Sequence, residues 1–519
     1  MPNKTEPASS LPVTGFTAQT LTRKALSGAG WSASSTGIRQ ALSFASVAIL
    51  APLLGPEAYG LLGMATLLTN FLSQFRDLGT TSAVIQRPFV SDRLLSSLFW
   101  VNCGLGAGLC LISLAASVAV AAFFHEPKLA PIVQALAASF CLSSCGTMHY
   151  ALLSREMAFD KIAIVDLCSA VAGYCVSIPA ALAGHGVWSL VFGNLTSAAT
   201  STALYWTMCR WRPSWQFDRA EVRSVTRFSL NLSGFGILNY FSRNADNLIV
   251  GKYLGSVQLG YYQMAYNLML YPIQNISSVL SQVLFPAFSK IQDDNERFRS
   301  AYIRASMLTA LLTFPVMAGM GMVADPLIRV VLGGKWLPVI LLLQIFAPVG
   351  LLQSIQTNTG QIYVAKGRTD RMFYWGLYSS AVFVISFLLG VRWGAVGVAA
   401  SYFIAYFAFI TYPCFAIAFS LIGLNVGTYL RHLWPQFAVT AVMALVCGLW
   451  LRTLDSFSVH NAWARLSTTV SLGCGVYVVL LLRRRPIVIL HLEEVLGQCP
   501  PRLRDRILPI LRVFSRHWR

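Results

Sequence analysis

Apolar residues run in stretches of about twenty, each long enough as a helix to cross a ~30 Å hydrocarbon core, with polar breaks between them throughout the chain. Hydropathy predicts fourteen spans near 29–54, 58–80, 98–123, 129–153, 162–184, 186–208, 228–252, 258–286, 303–323, 338–364, 372–391, 394–420, 428–451 and 463–482. The pattern predicts an all-α polytopic membrane protein. Residues 1–28 lack the compact apolar core of a signal peptide and read as a polar lead-in. Beyond the last span, residues 483–519 alternate Arg with Ile, Leu and Phe. That pattern suits a helix lying on the inner membrane surface; a disordered basic tail is the alternative.

Two echoes within the pattern predict the architecture. "LLGPEAYGLLGMA" at 53–65 and "YLGSVQLGYYQMA" at 253–265 share Leu54/Leu254, Gly55/Gly255, Gly60/Gly260, Met64/Met264 and Ala65/Ala265. Both join the first and second spans of a six-span block. "GHGVWSLV" at 184–191 and "RWGAVGVA" at 392–399 fall at equivalent later turns. Six is even, so both blocks enter the membrane in the same sense, as parallel repeats about an axis along the membrane normal with a central cavity between them. Residues 29–208 and 228–420 are the expected lobes. The basic segment 209–227 links them, and residues 421–482 carry two extra helices.

Charge then orients the bundle. Only 11% of residues are charged, against roughly 25% in soluble domains, and 55% are hydrophobic. Of the 39 Lys and Arg, thirty fall on the side of the N-terminus. Seven lie on the other side: Lys128, Lys252, Arg329, Lys335, Arg392, Arg452 and Arg465. The positive-inside rule makes both termini cytoplasmic. The net charge of +19 is thus explained by topology and attraction to anionic membrane lipids, without nucleic acid.

The remaining two cations, Arg39 and Arg243, sit inside spans, where an Arg costs roughly 2.5–3.5 kcal/mol on insertion scales and normally faces a cavity or a partner. Helical spacing puts Asn239, Arg243 and Asp246/Asn247 on one face. Span 1 carries a similar stripe of Ser32, Ser35/Thr36, Arg39, Ser43 and Ser46. Span 2 offers Thr66, Thr69/Asn70 and Ser73; span 8 offers Gln263, Asn267, Gln274 and Ser278; span 10 adds Gln353, Gln356 and Gly360. Polar stripes on so many helices predict a hydrated chamber.

Arg39 has no acidic neighbour within a helical turn, which points to an anionic ligand, with helix packing as the alternative. Arg243 and Asp246 read either as a structural bridge or as a switch, Asp246 pairing with Arg243 when the chamber is empty and yielding to substrate phosphate. Tyr261, Tyr262, Tyr266 and Tyr271 suit sugar stacking or interfacial anchoring.

No cofactor is expected; coupling to protons, sodium or the membrane potential is open. The eleven cysteines form no CxxC pair and suggest no disulfide framework or metal site. A Walker A sequence is absent, so the chain is not expected to be an ATPase. A membrane sugar polymerase or ligase would need catalytic groups on a sizeable outer loop. The predicted outer acids, Glu57, Glu126, Asp325 and Asp455, form no close pair. A transporter is expected, not an enzyme.

"FRDLGTTSAVIQR" at 75–87, "RNADNLIVGKYLGSVQLGYYQMAYNL" at 243–268 and "LFPAFSKIQDD" at 284–294 resemble the polysaccharide-transporter branch of the multidrug/oligosaccharidyl-lipid/polysaccharide exporter superfamily. Within it the chain is most similar to Wzx-type O-antigen and exopolysaccharide repeat-unit flippases. The likeness covers about residues 30–485 in layout, with motifs concentrated in spans 2, 7 and 8. It implies flipping of undecaprenyl-pyrophosphate-linked oligosaccharides from the cytoplasmic to the periplasmic leaflet of a bacterial inner membrane. A V-shaped bundle with alternating access is implied too, along with a pathway polymerase and chain-length regulator as partners. Related lipid II flippases use a cationic cavity, and Arg39 holds a comparable place in the first span. A lipid II flippase or a multidrug exporter of the same superfamily is the alternative. Arg39 and Arg243 argue against a cation exporter.

Overall fold

The computed structural model describes residues 18–76, 79–87 and 89–483. Within these helices the side chains of 18–34, 220–221, 223–239, 242, 276–287 and 289–290 lie outside the description. The N-terminal residues 1–17 and the basic tail from 484 onward also lie outside it. No strand occurs among the described residues.

The helices are α1 (Ala18–Leu54), α2 (Pro56–Ser73), α3 (Thr80–Gln86), α4 (Asp92–Phe124), α5 (Leu129–Arg155), α6 (Phe159–Leu182), α7 (Val187–Met208), α8 (Arg219–Lys290), α9 (Asn295–Met322) and α10 (Ala324–Val331). They continue as α11 (Val339–Gln356), α12 (Thr359–Ala365), α13 (Thr369–Gly390), α14 (Gly394–Ala405), α15 (Thr411–Ser420), α16 (Val426–Ser456) and α17 (Ala462–Arg483). Gly255, at φ 81° and ψ −179°, breaks α8 into two limbs. Counting the limbs separately, and α11–α12 and α14–α15 as one crossing each, gives fourteen membrane-length segments, as hydropathy predicts. Nine helical segments among the described residues meet both the length and the hydropathy for a membrane span. This is a multi-pass membrane protein.

Short helices are where hydropathy falls short. The second predicted span ends at Ser73 instead of 80, and Gly79, in the left-handed region at φ 77°, opens the separate α3. At seven and eight residues, α3 and α10 are too short to give a span signal. A π-helical turn at Tyr406–Ile410 joins α14 to α15.

Local chemistry sets the helix ends. Ser91 accepts from Leu94 N at 3.1 Å at the start of α4, and Asp294 accepts from the amides of Glu296 and Arg297 at the start of α9. His125 terminates α4 in the left-handed conformation. Pro56 opens α2, where its missing N–H leaves no intrahelical bond unmade.

The residues group into two compact units. The first comprises Met1–Met264, Val331–Val339 and Ser380–Tyr402. Small residues bring its helices together: the positions where Gly173 and Gly193 would carry a Cβ lie 2.9 Å from Gly193 O and 1.8 Å from Ser177 Oγ, so α6 and α7 pack backbone to backbone. Val84, Leu95, Leu98, Met148 and Leu153 form a core that α3, α4 and α5 share. Arg155 binds α3 to α5 by donating to Val84 O at 2.6 Å.

The second unit comprises Ala265–Val330, Ile340–Ser379 and Phe403–Arg519. Its core is aromatic: Phe288 stacks on Phe298 at 5.0 Å, and Phe415, Phe419 and Tyr429 pack around Tyr302. Thr313 donates to Ser354 and Asn358 Nδ2 to Thr309, hydrogen bonds that join α9 to α11–α12 where lipid offers no partner.

Candidate functional site

In the first unit, Arg39 on α1 and Arg243 on the first limb of α8 are both exposed. Asn70 on α2 is also exposed. Arg39 lies within electrostatic range of Asp166 on α6, an acid within the fifth predicted span. That neighbour comes from another helix, so spacing along α1 gives no sign of it. Asn239 lies among the side chains outside the description.

Arg243 and Asp246 part company. No ion pair joins them among the described residues. Asp246 is buried, 4% exposed; its Oδ2 accepts from Tyr262 Oη at 3.2 Å and its Oδ1 from Asn247 N at 2.7 Å. Asp246 thereby links the two limbs of α8. The reason is geometric. The bend at Gly255 folds the second limb back so that Tyr262 reaches the acid, while Arg243 stays on the open face. Asn247 keeps a buried Oδ1 without a partner.

Tyr262 is fully buried, so it offers no ring face to a sugar. Tyr261 meets Trp336 edge-on at 6.1 Å. Gln263 lies over α2: a Cβ on Gly63 would fall 2.2 Å from its Oε1. Tyr240 donates to Leu67 O at 2.7 Å and packs against Phe71, joining the first limb of α8 to α2.

In the second unit, Asn267 and Gln274 are exposed. Gln353 is half-buried, with its Oε1 unpartnered. Gln356 is buried and spends its amide on protein. It accepts from Tyr406 Oη at 2.6 Å and donates to Thr411 Oγ1 at 3.3 Å, tying α11 to the π-helical turn. Helical spacing places it on a polar face without revealing that this turn consumes it.

At the predicted outer end of the first unit a cavity of about 400 Å³ is lined by Glu57, Lys128, His185 and Trp188 among others. Lys128 Nζ bonds Glu57 Oε1 at 2.7 Å, which raises the lysine's pKa. Among the described residues no cluster of His, Cys, Asp and Glu could hold a metal ion.

Residues 49–341 match the model of a family described as polysaccharide biosynthesis protein. The lipopolysaccharide biosynthesis protein WzxC of Escherichia coli (strain K12) is 28% identical over 83% of this chain and 89% of its own length. The succinoglycan biosynthesis transport protein ExoT of Rhizobium meliloti (strain 1021) is 26% identical over 93% of this chain and 97% of its own. Among solved structures, the lipid II flippase MurJ in an inward closed conformation superposes with a TM-score of 0.68. It covers 86% of this chain and 96% of that one at 15% identity, a likeness of fold.

Proposed function

We propose a function from one premise: the chain belongs to the polysaccharide biosynthesis protein family. It is a flippase that carries undecaprenyl-pyrophosphate-linked oligosaccharide repeat units from the cytoplasmic to the periplasmic leaflet of the bacterial inner membrane, by alternating access. The observation that carries this reading is the pair of exposed cations, Arg39 and Arg243, on helices that cross the membrane. A guanidinium fork matches the oxygens of a pyrophosphate. Asn70, Asn239, Asn247, Gln263, Asn267, Gln274 and Gln353 supply amides suited to sugar hydroxyls; Gln356, already occupied by Tyr406 and Thr411, acts in support of α11. The lobes at 29–208 and 228–420 are the moving halves, and both termini are cytoplasmic. A polymerase and a chain-length regulator receive the product outside.

The potential supplies the drive. A lipid pyrophosphate carries about two negative charges, and each is worth about 2.3 kcal/mol per 100 mV, so outward movement gains roughly 4–5 kcal/mol. Asp246 is the coupling group: its hydrogen bond from Tyr262 holds the two limbs of α8 together, and a proton taken from outside releases it. No cofactor takes part. Deleting the gene should leave lipid-linked oligosaccharide on the cytoplasmic leaflet, and restoring the chain should clear it. Clearance of lipid II instead would assign the other cargo of this fold.

A further inference from the structure

The echo between 53–65 and 253–265 has a structural meaning that cargo binding does not use. Gly55 (φ 77°, ψ 178°) and Gly255 (φ 81°, ψ −179°) take the same backbone conformation, one that residues with a Cβ rarely enter. Each starts a helix. Five residues on, each helix meets the start of the other. A Cβ on Gly60 would lie 1.7 Å from Ser256 O, and a Cβ on Gly260 would lie 2.0 Å from Pro56 O. The contact is reciprocal, backbone on backbone, and lies wholly within the first unit.

Carboxylates and aromatics surround the crossing. Two helix N-termini, each with a positive dipole end, approach one another here and would repel if left alone. Each has an acid beside it. Glu57 lies in the first turn of α2, and Glu126 accepts from Ser256 Oγ at 2.8 Å where the second limb of α8 begins. Trp336 fills the side: it is fully buried, donates from Nε1 to Ala51 O at 2.8 Å, and meets Tyr59 edge-on at 5.5 Å. Met64, one turn further in, is fully shielded.

We infer that Gly60 and Gly260 form a clamp that shuts the outer end of the first unit, and that the clamp parts once in each transport cycle. The inference rests on the flippase reading above. Two helices touching through backbone leave no gap for a phosphate or a sugar. Yet no covalent bond holds the crossing, and of the two acids beside it Glu57 is exposed and Glu126 half-buried. Any side chain at position 60 or 260 would prop the crossing open.

The test uses the full chain in cells. Met64→Cys is labelled with a membrane-impermeant maleimide from outside, against the background of the chain's own cysteines. Gly60→Ala and Gly260→Ala should each raise that labelling at least about tenfold, as expected for a shifted two-state equilibrium. Gly104→Ala, a helical glycine with open space around it, should leave it unchanged. Labelling needs no cargo, so it reads the gate even if the flippase reading fails: raised labelling by a chain that clears no lipid-linked oligosaccharide would support the clamp and count against the flippase reading alone. Should the alanine variants fail to reach the membrane, Glu126→Cys with Ser256→Cys decides. Oxidation should link them and stop export, and reductant should restore it. Full export with the cross-link intact, or shielded Met64→Cys in both glycine variants, would overturn the clamp.

Discussion

Arg39 and Asp246 define the account at the scale of single residues. Arg39→Ala should abolish polymer export with the protein still in the membrane, and Arg39→Lys should restore it only in part, because an ammonium cannot offer a planar fork. Wild-type export from the alanine variant would remove Arg39 from the site. Tyr262→Phe deletes the bond to the buried acid, an interaction of about 1.5–3 kcal/mol when the acceptor is charged. It should slow repeated turnover while sparing a single loaded flip, and Asp246→Asn should do the same. The double variant should be no slower than either, since the pair acts as one unit. Additive losses in a single-turnover against steady-state comparison would separate the two residues. Helical spacing exposes the stripe to which Arg243 and Asp246 belong. It does not reveal that Asp246 turns to Tyr262 across the bend, or that Asp166 on another helix lies within electrostatic range of Arg39, because neighbours on other helices leave no mark in a single periodicity.

Among the elements, long helices are legible because lipid imposes a length and forbids unpartnered backbone. Short ones such as α3 and α10 satisfy no such rule and pass unseen. The echo at Gly55 and Gly255 is legible for another reason: a positive φ selects glycine at equivalent turns. Helix contacts give a stability prediction. Gly193→Leu forces a side chain against Ser177 on α6 and should destabilise the fold by about 1–3 kcal/mol, typical of overpacking. Thermal unfolding in detergent would register this as a lower midpoint, with Gly104→Leu, facing open space, nearly unaffected.

For the whole molecule, the proposed orientation follows from charge asymmetry, and the proposed direction of transport follows from that orientation. Cysteine labelling should place positions beside Lys128 and Asp455 outside and those beside Arg219 inside; an external Arg219 would reverse the direction. On the proposed function, a negatively charged lipid-linked oligosaccharide crosses outward with the membrane potential. Vesicles holding the purified chain and lipid-linked repeat units, with a potential imposed in either sense, test it most directly. Translocation should speed up when the receiving side is positive and slow when it is negative, and Arg39→Ala should abolish it in both. Equal rates under both polarities, or undiminished translocation by the Arg39→Ala chain, would contradict it.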